Sequence, residues 1–281
     1  MLTRRMRSHY LKKNISVNKI TRLLYPLNTR VDNILLGFSY WRLYQNYTGY
    51  CVRVRRSSDN AEADFGFVKG YIDSSAIVDF VGAGNSGYVT TWYNQYVGGN
   101  NAVQATAGNQ PIIVSSGIFE SNGLKFVTVD SRSLILNNYT AVNFTTPPVS
   151  IYMNWVSLDN TGVRVIFYKN TGSFTQFGVM LVTTINFRIN VIGTANIFTH
   201  TALPVGTVIK NLYTWIDQNM NGITGNQNNV VLLGTQNTDI TTGDTITIGI
   251  RNYSSASPLQ GHIKSIVMAD TVIDYSIISK V

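Results

Sequence analysis

The sequence predicts an all-β fold, an antiparallel β-sandwich, and three observations carry that expectation. From residue 89 onward, short runs rich in Val, Ile, Thr, Phe and Tyr recur between Asn, Gly and Ser turns, with no helical stretches separating them. Charged residues are only 13% of the 281, whereas Asn (29), Gly (23) and Tyr (16) are plentiful, which describes a polar, uncharged, turn-rich surface. Hydrophobic residues make up 44%, enough for a sizeable core and too many for global disorder.

The elements follow in order. Residues 1–30 alternate basic residues with Ile15, Val17, Ile20, Leu23 and Leu24, and Pro26 ends any helix there. Residues 31–50 read as a short amphipathic segment with an apolar face of Leu35, Leu36, Phe38, Trp41, Leu43 and Tyr44. Thr48-Gly49-Tyr50 then turns into a strand over 51–55. Residues 73–80 read as a helix: Asp73 or Ser74 can cap it, and Ile72, Ala76, Ile77 and Phe80 fall at helical spacing. Strands are expected over 89–93, 112–114, 124–129, 134–136, 149–156, 163–168, 177–182, 187–191, 212–216, 230–233, 245–250 and 263–268. No Pro- or Ser-rich linker divides them and no solenoid-type repeat is present. The expected organisation is a basic arm over 1–45, partly helical or extended, followed by one sandwich domain over 46–281.

Charge is unevenly placed. Residues 1–56 hold twelve Lys or Arg and one acid, Asp32, while residues 57–281 hold ten basic and thirteen acidic residues, so the net charge of +8 belongs to the arm. Such an arm is expected to dock on an acidic partner. Its expected contact residues are Arg4, Arg5, Arg7, Lys12 and Lys13, with Leu35, Leu36, Phe38 and Trp41 buried against that partner. The arm has few interleaved aromatics and no nucleic-acid-binding motif, so nucleic acid is not the expected partner. The arm also lacks the apolar run of a secretory signal, and no window reaches the length of a membrane span. The single cysteine, Cys51, excludes an intrachain disulfide, and three scattered histidines make a zinc site improbable. No cofactor is expected.

Three blocks are distinctive: Tyr47-Thr48-Gly49-Tyr50-Cys51-Val52-Arg53-Val54-Arg55-Arg56 running on to Phe65-Gly66-Phe67; Tyr88-Val89-Thr90-Thr91-Trp92-Tyr93-Asn94-Gln95; and Asn101-Ala102-Val103-Gln104-Ala105-Thr106 running to Gln110-Pro111. Over residues 38–117 they resemble the start of the catalytic domain of the arabinofuranosidase B family (glycoside hydrolase family 54). That region also recurs in bacteriophage virion proteins resembling tail or head fibres. Gly123-Leu124-Lys125-Phe126 and the stretch from Leu259-Gln260-Gly261-His262 to Met268 resemble the opening and closing strands of laminin-G or concanavalin A-like domains. The resemblance implies a concanavalin A-like jelly roll. It also implies a virion structural protein, a fibre or decoration component made in the host cytoplasm without a signal peptide. Such a protein would contact other virion proteins, form a homo-oligomer and bind host-surface glycan. The alternatives are an arabinofuranosidase-like hydrolase and a free carbohydrate-binding module.

Where the family commonly has Trp-Tyr-Asp-Gln-Ser-Gly, this chain has Trp92-Tyr93-Asn94-Gln95-Tyr96-Val97-Gly98. An amide replaces a carboxylate and cannot serve as acid, base or nucleophile. Glycoside hydrolysis needs two facing carboxyls, yet most later acids stand in turn contexts. No catalytic residue is therefore assigned. The carbohydrate-binding candidates are Arg55, Arg56, Asp59, Trp92, Asn94 and Asp217, the last delivered by the aromatic run Tyr213-Thr214-Trp215-Ile216. For the arginines the competing expectation is an ion-pair knot with Asp59, Glu62 and Asp64 that fixes strand to loop, and for Trp92 it is core packing.

Overall fold

The structure, a computed structural model, describes residues 34–96, 98–128, 131–139, 149–159, 164–171, 174–183, 186–191, 194–199, 204–216, 219–224, 227–232, 244–250 and 258–279. The expectations placed on Arg4, Arg5, Arg7, Lys12, Lys13 and Asp217 lie outside the described residues.

The first half of the described chain forms β1 (Ile34–Ser39), β2 (Val52–Arg56), β3 (Glu62–Phe65), β4 (Phe67–Val68), β5 (Tyr71–Ile72), helix α1 (Ser74–Val81), β6 (Gly87–Trp92), β7 (Ala102–Val103), β8 (Ile112–Ser115), β9 (Ile118–Phe119), β10 (Leu124–Phe126) and β11 (Leu134–Tyr139). The second half forms β12 (Val149–Ser157), β13 (Arg164–Thr171), β14 (Phe174–Thr183), β15 (Asn186–Val191), β16 (Thr194–Thr199), β17 (Val208–Ile216), β18 (Asn219–Thr224), β19 (Gln227–Leu232), β20 (Asp244–Ile248), β21 (Gly261–Ala269) and helix α2 (Tyr275–Ile278). The all-β sandwich expected from the sequence is what the chain forms.

Every ladder is antiparallel. One sheet centres on β21, which pairs with β12 along one edge and with β1 and then β10 along the other. From β12 that sheet continues through β17, β18 and β19. The facing sheet runs β7, β11, β20, β13, β14, β15, β16. Strand β6 links the two layers. It pairs with β7 and β8 on one side and with β2 on the other; β8 in turn reaches β10, and β3 lies outside β2. The stretches beginning at Gly123 and at Leu259 are direct neighbours, through Leu124↔Ile263 and Phe126↔Gly261. Gly123 makes that approach possible: its φ is +123°, and a Cβ there would lie 2.4 Å from the Ile263 carbonyl.

The main core lies between the layers and includes Phe38, Val54, Trp92, Phe126, Ile151, Met153, Trp155, Ile166, Ile248, Ile263 and Ile266. A second apolar layer covers the outside of the β21 sheet. There Ile34, Tyr152, Leu212, Val267 and Ala269 pack under Leu43, Ile273 and Ile278. Strand β12 is therefore buried on both faces along its length, which is why it reads as a near-continuous apolar run. Helix α1 forms where expected: the Asp73 carboxylate accepts a hydrogen bond from the Ala76 amide (3.1 Å), Ile77 and Val81 face the core, and Gly82, with φ +81°, ends it.

One expectation is corrected. Leu35, Leu36, Phe38 and Trp41 do not form an exposed amphipathic face awaiting a partner. Leu36 and Phe38 are fully buried on β1, opposite Met268 and Ile266, and Leu35 packs against the same core. Trp41 packs on the outer apolar layer. The sandwich therefore includes Ile34–Ser39, inside the stretch read as arm. The run Ile34-Leu35-Leu36-Gly37-Phe38 is apolar at every position, as a strand in a covered sheet is, and periodicity alone does not separate such a run from a helix.

Candidate functional site

Three polar clusters surround β6. The first is the arginine strip of β2. Val52 and Val54 point into the core, so Arg53 and Arg55 share the outer face. Arg53 meets Asp64 directly across the ladder, with Nε and Nη2 donating to the two carboxylate oxygens at 3.0 Å each. The Tyr93 hydroxyl donates to the same carboxylate at 2.6 Å, and Glu62 stands 3.9 Å from Arg53. Arg56 forks onto Asp59 at 2.8 and 2.7 Å and donates to the Phe80 carbonyl at 3.1 Å, tying the β2–β3 turn to the end of α1. The Arg56 hydrogen bonds hold the Asp59 carboxyl well below the usual range. Arg55 donates to Gln110 (2.8 Å) and Asn60 (2.7 Å) and lies over the Tyr88 ring at 4.8 Å. Of the predicted sugar contacts here, Arg56 and Asp59 hold each other, and Arg55 holds neutral acceptors.

The second cluster is the Trp92-Tyr93-Asn94-Gln95 motif. Trp92 is fully buried with its ring 5.4 Å from Phe38, so it serves the core and not a ligand. Asn94 is also buried. Its oxygen accepts from the Gly37 amide (2.9 Å) and the Tyr96 amide (3.0 Å), and its nitrogen donates to the Asn100 carbonyl (3.3 Å). The Gln95 oxygen accepts from the Leu43 amide (2.7 Å), and its nitrogen donates to the Ser39 and Trp41 carbonyls (3.0 and 2.8 Å). The two amides thus fasten the end of β6 to β1 and the turn after it. They satisfy backbone groups that burial would otherwise leave unpaired. The predicted binding roles of Trp92 and Asn94 give way to this anchoring.

Next to this fastener lies an open cleft of about 650 Å³ lined by Gly99, Asn100, Asn101, Val103 and Asn137. Val103 of this lining pairs with Ile135 of β11. Asn101 accepts from the Asn94 amide (3.0 Å) and Asn100 donates to the Asn137 carbonyl (2.8 Å), which orients both side chains. Among the described residues, the lining holds three amides and no ionisable group. An amide both donates and accepts, as a sugar hydroxyl does. Sequence reasoning missed this cleft. Its only trace is the run Gly98-Gly99-Asn100-Asn101, because Asn137 joins it through the fold alone.

The third cluster surrounds Glu120. Its carboxylate meets His262 Nε2 at 3.0 Å, Ser115 Oγ at 2.5 Å and Lys125 Nζ at 3.3 Å. Burial pushes the carboxyl upward, but the His262 and Ser115 hydrogen bonds and the Lys125 charge outweigh it and bring the pKa down to about 2. A carboxylate held ionised by three donors is a poor proton donor, the reverse of a glycosidase general acid. Elsewhere Asp159 pairs with Arg164. Among the described residues, no group of three or more His, Cys, Asp or Glu side chains is placed to hold a metal, and no helix is long and apolar enough to cross a membrane.

Fold and clusters together define an all-β antiparallel sandwich. No protein-family profile matches the chain, and no curated protein matches it in sequence. Solved structures do match in fold. A family-54 α-L-arabinofuranosidase soaked with a cyclic sulfate inhibitor superposes with a TM-score of 0.61 at 15% identity, over 87% of this chain and 60% of that one. An arabinofuranosidase complexed with arabinofuranosyl-α-1,2-xylobiose gives 0.60 at 16%, over the same shares. A Trypanosoma rangeli sialidase in complex with sialic acid gives 0.50 at 14%, over 68% of this chain and 30% of that one. The chain thus spans 60% of the length of those arabinofuranosidases, and the likeness is one of fold.

Proposed function

We propose that this protein is a non-catalytic glycan-binding sandwich carried on a virion, with the asparagine cleft beside β7 as its sugar site. The observation that carries the reading is the chemistry of that cleft: about 650 Å³, lined by Asn100, Asn101 and Asn137 and, among the described residues, by no carboxylate. Such amides can exchange hydrogen bonds with neutral hydroxyls but cannot protonate a leaving group. The likeness in fold to arabinofuranosidases and a sialidase supports a carbohydrate ligand. The virion setting is supported by the resemblance of residues 38–117 to phage fibre proteins and by the strongly basic first 30 residues.

A glycan array with the full chain tests the sugar site. Neutral glycans are expected to bind, and the exposed pair Asn100→Ala/Asn137→Ala is expected to weaken that binding at least tenfold without changing the circular dichroism spectrum. Release of nitrophenol from an aryl arabinofuranoside by the wild-type protein would overturn the non-catalytic reading in favour of a hydrolase. Deleting residues 1–30 is expected to leave a soluble domain that no longer joins the particle; normal incorporation would remove the anchoring role.

A further inference from the structure

Lys264 stands on β21 where the pairing with β12 slips between Asn154 and Trp155, so that one residue of β21 is left over. A bulge of this kind re-aims a side chain. The Lys264 ammonium lies 5.4 Å from the centre of the Tyr71 ring. Tyr71 belongs to the β4–β5 hairpin. Trp41 is bridged to it and presents its ring edge-on, with centroids 4.7 Å apart and planes at 67°. Tyr40 backs the group, 6.3 Å from Tyr71 and 5.7 Å from Phe119, its hydroxyl fully buried and unpartnered. Trp41, Tyr71 and Lys264 are each half-buried.

Among the described residues no carboxylate pairs with Lys264. Glu120, on the turn between β9 and β10, is already engaged by His262, Ser115 and Lys125. Burial alone moves the Lys264 ammonium below its usual pKa. A cation that has shed part of its water and faces only an aromatic ring is stabilised by any anion that can reach it. The flanking rings add a requirement, because aromatic surface at such a spot favours a ligand with an apolar face. A sugar ring bearing one carboxylate meets both conditions, and a single ammonium matches a single negative charge.

We propose that Lys264, Tyr71 and Trp41 form a subsite for an acidic sugar, its carboxylate on the Lys264 ammonium and its ring against the aromatic pair. The subsite shares no residue with the asparagine cleft and does not rest on it.

Calorimetric titration of the full chain with trigalacturonic acid, 3′-sialyllactose, lactose and inorganic phosphate tests this. At least one acidic sugar is expected to bind and lactose to bind at least tenfold more weakly at this site. Lys264→Met is expected to lower the acidic-sugar affinity at least tenfold, and Asn100→Ala/Asn137→Ala to leave it unchanged. Reductive ¹³C-methylation of the wild-type protein gives a second reading that needs no folded variant: the Lys264 methyl signal is expected to shift as acidic sugar is added. The proposal is overturned if neither acidic sugar binds, if Lys264→Met leaves their affinity intact, if the labelled Lys264 does not respond, or if phosphate binds as tightly as the sugars.

Discussion

The arginine strip on β2 and the asparagine cleft beside β7 flank the same strand, β6, and treat polar groups in opposite ways. On the strip, the side chains close on one another: Arg53 with Asp64, Arg56 with Asp59, Tyr93 with Asp64. In the cleft, three amides line an open volume. On this strip, charge holds strand to strand and strand to loop. For a chain with so few charges, the arginine cluster drew attention for a structural reason.

That contrast can be broken or sharpened by substitution. The largest effect is expected at the support both regions share: Trp92→Ala should cost about 3–5 kcal/mol in chemical denaturation and disturb strip and cleft together. Asn94→Ala should cost about 1–3 kcal/mol, because it strands the buried Gly37 amide; a loss of cleft binding larger than the loss of stability would show that the fastener also shapes the cleft. Glu120 comes next. Its folded pKa, about 2, lies below the ordinary value of 4.5, so its contribution is present above about pH 4.5 and is lost as the pH falls towards 2. On the order of 1–3 kcal/mol should disappear over that window in the wild type, and Glu120→Gln should flatten the slope. The smallest change belongs to the exposed pair: Asp59→Asn should move the denaturation midpoint least of the four, and less still in high salt. An effect on the scale of Asn94→Ala would mean that the strip is more than a local clip.

Much of the fold was legible in the sequence. Strands β12, β17 and β21 fall close to the alternating or apolar runs that predict them, and the α1 cap at Asp73 is one of the two residues, Asp73 and Ser74, that the pattern offers. What escaped did so for physical reasons. Strand β3, Glu-Ala-Asp-Phe, carries charge because it lies outside β2 and hands its carboxylates to Arg53. Strand β18, Asn-Met-Asn-Gly-Ile-Thr, is too polar and glycine-broken to read as a strand until β17 and β19 pair with it. The site was less legible. Asn94 and Gln95 were visible as a motif, but their role depends on β1 arriving beside β6, and Lys264 became conspicuous only once the β4–β5 hairpin brought Tyr71 over it.

The placement of β21 has a consequence for how the molecule is made. Its neighbours β1, β10 and β12 are complete by residue 157, yet they have no common partner until residues 261–269 have emerged from the ribosome. Until then three hydrophobic edges wait unpaired in the nascent chain. Folding should therefore be slow and prone to off-pathway association at high expression, with chaperone demand set by that one late segment.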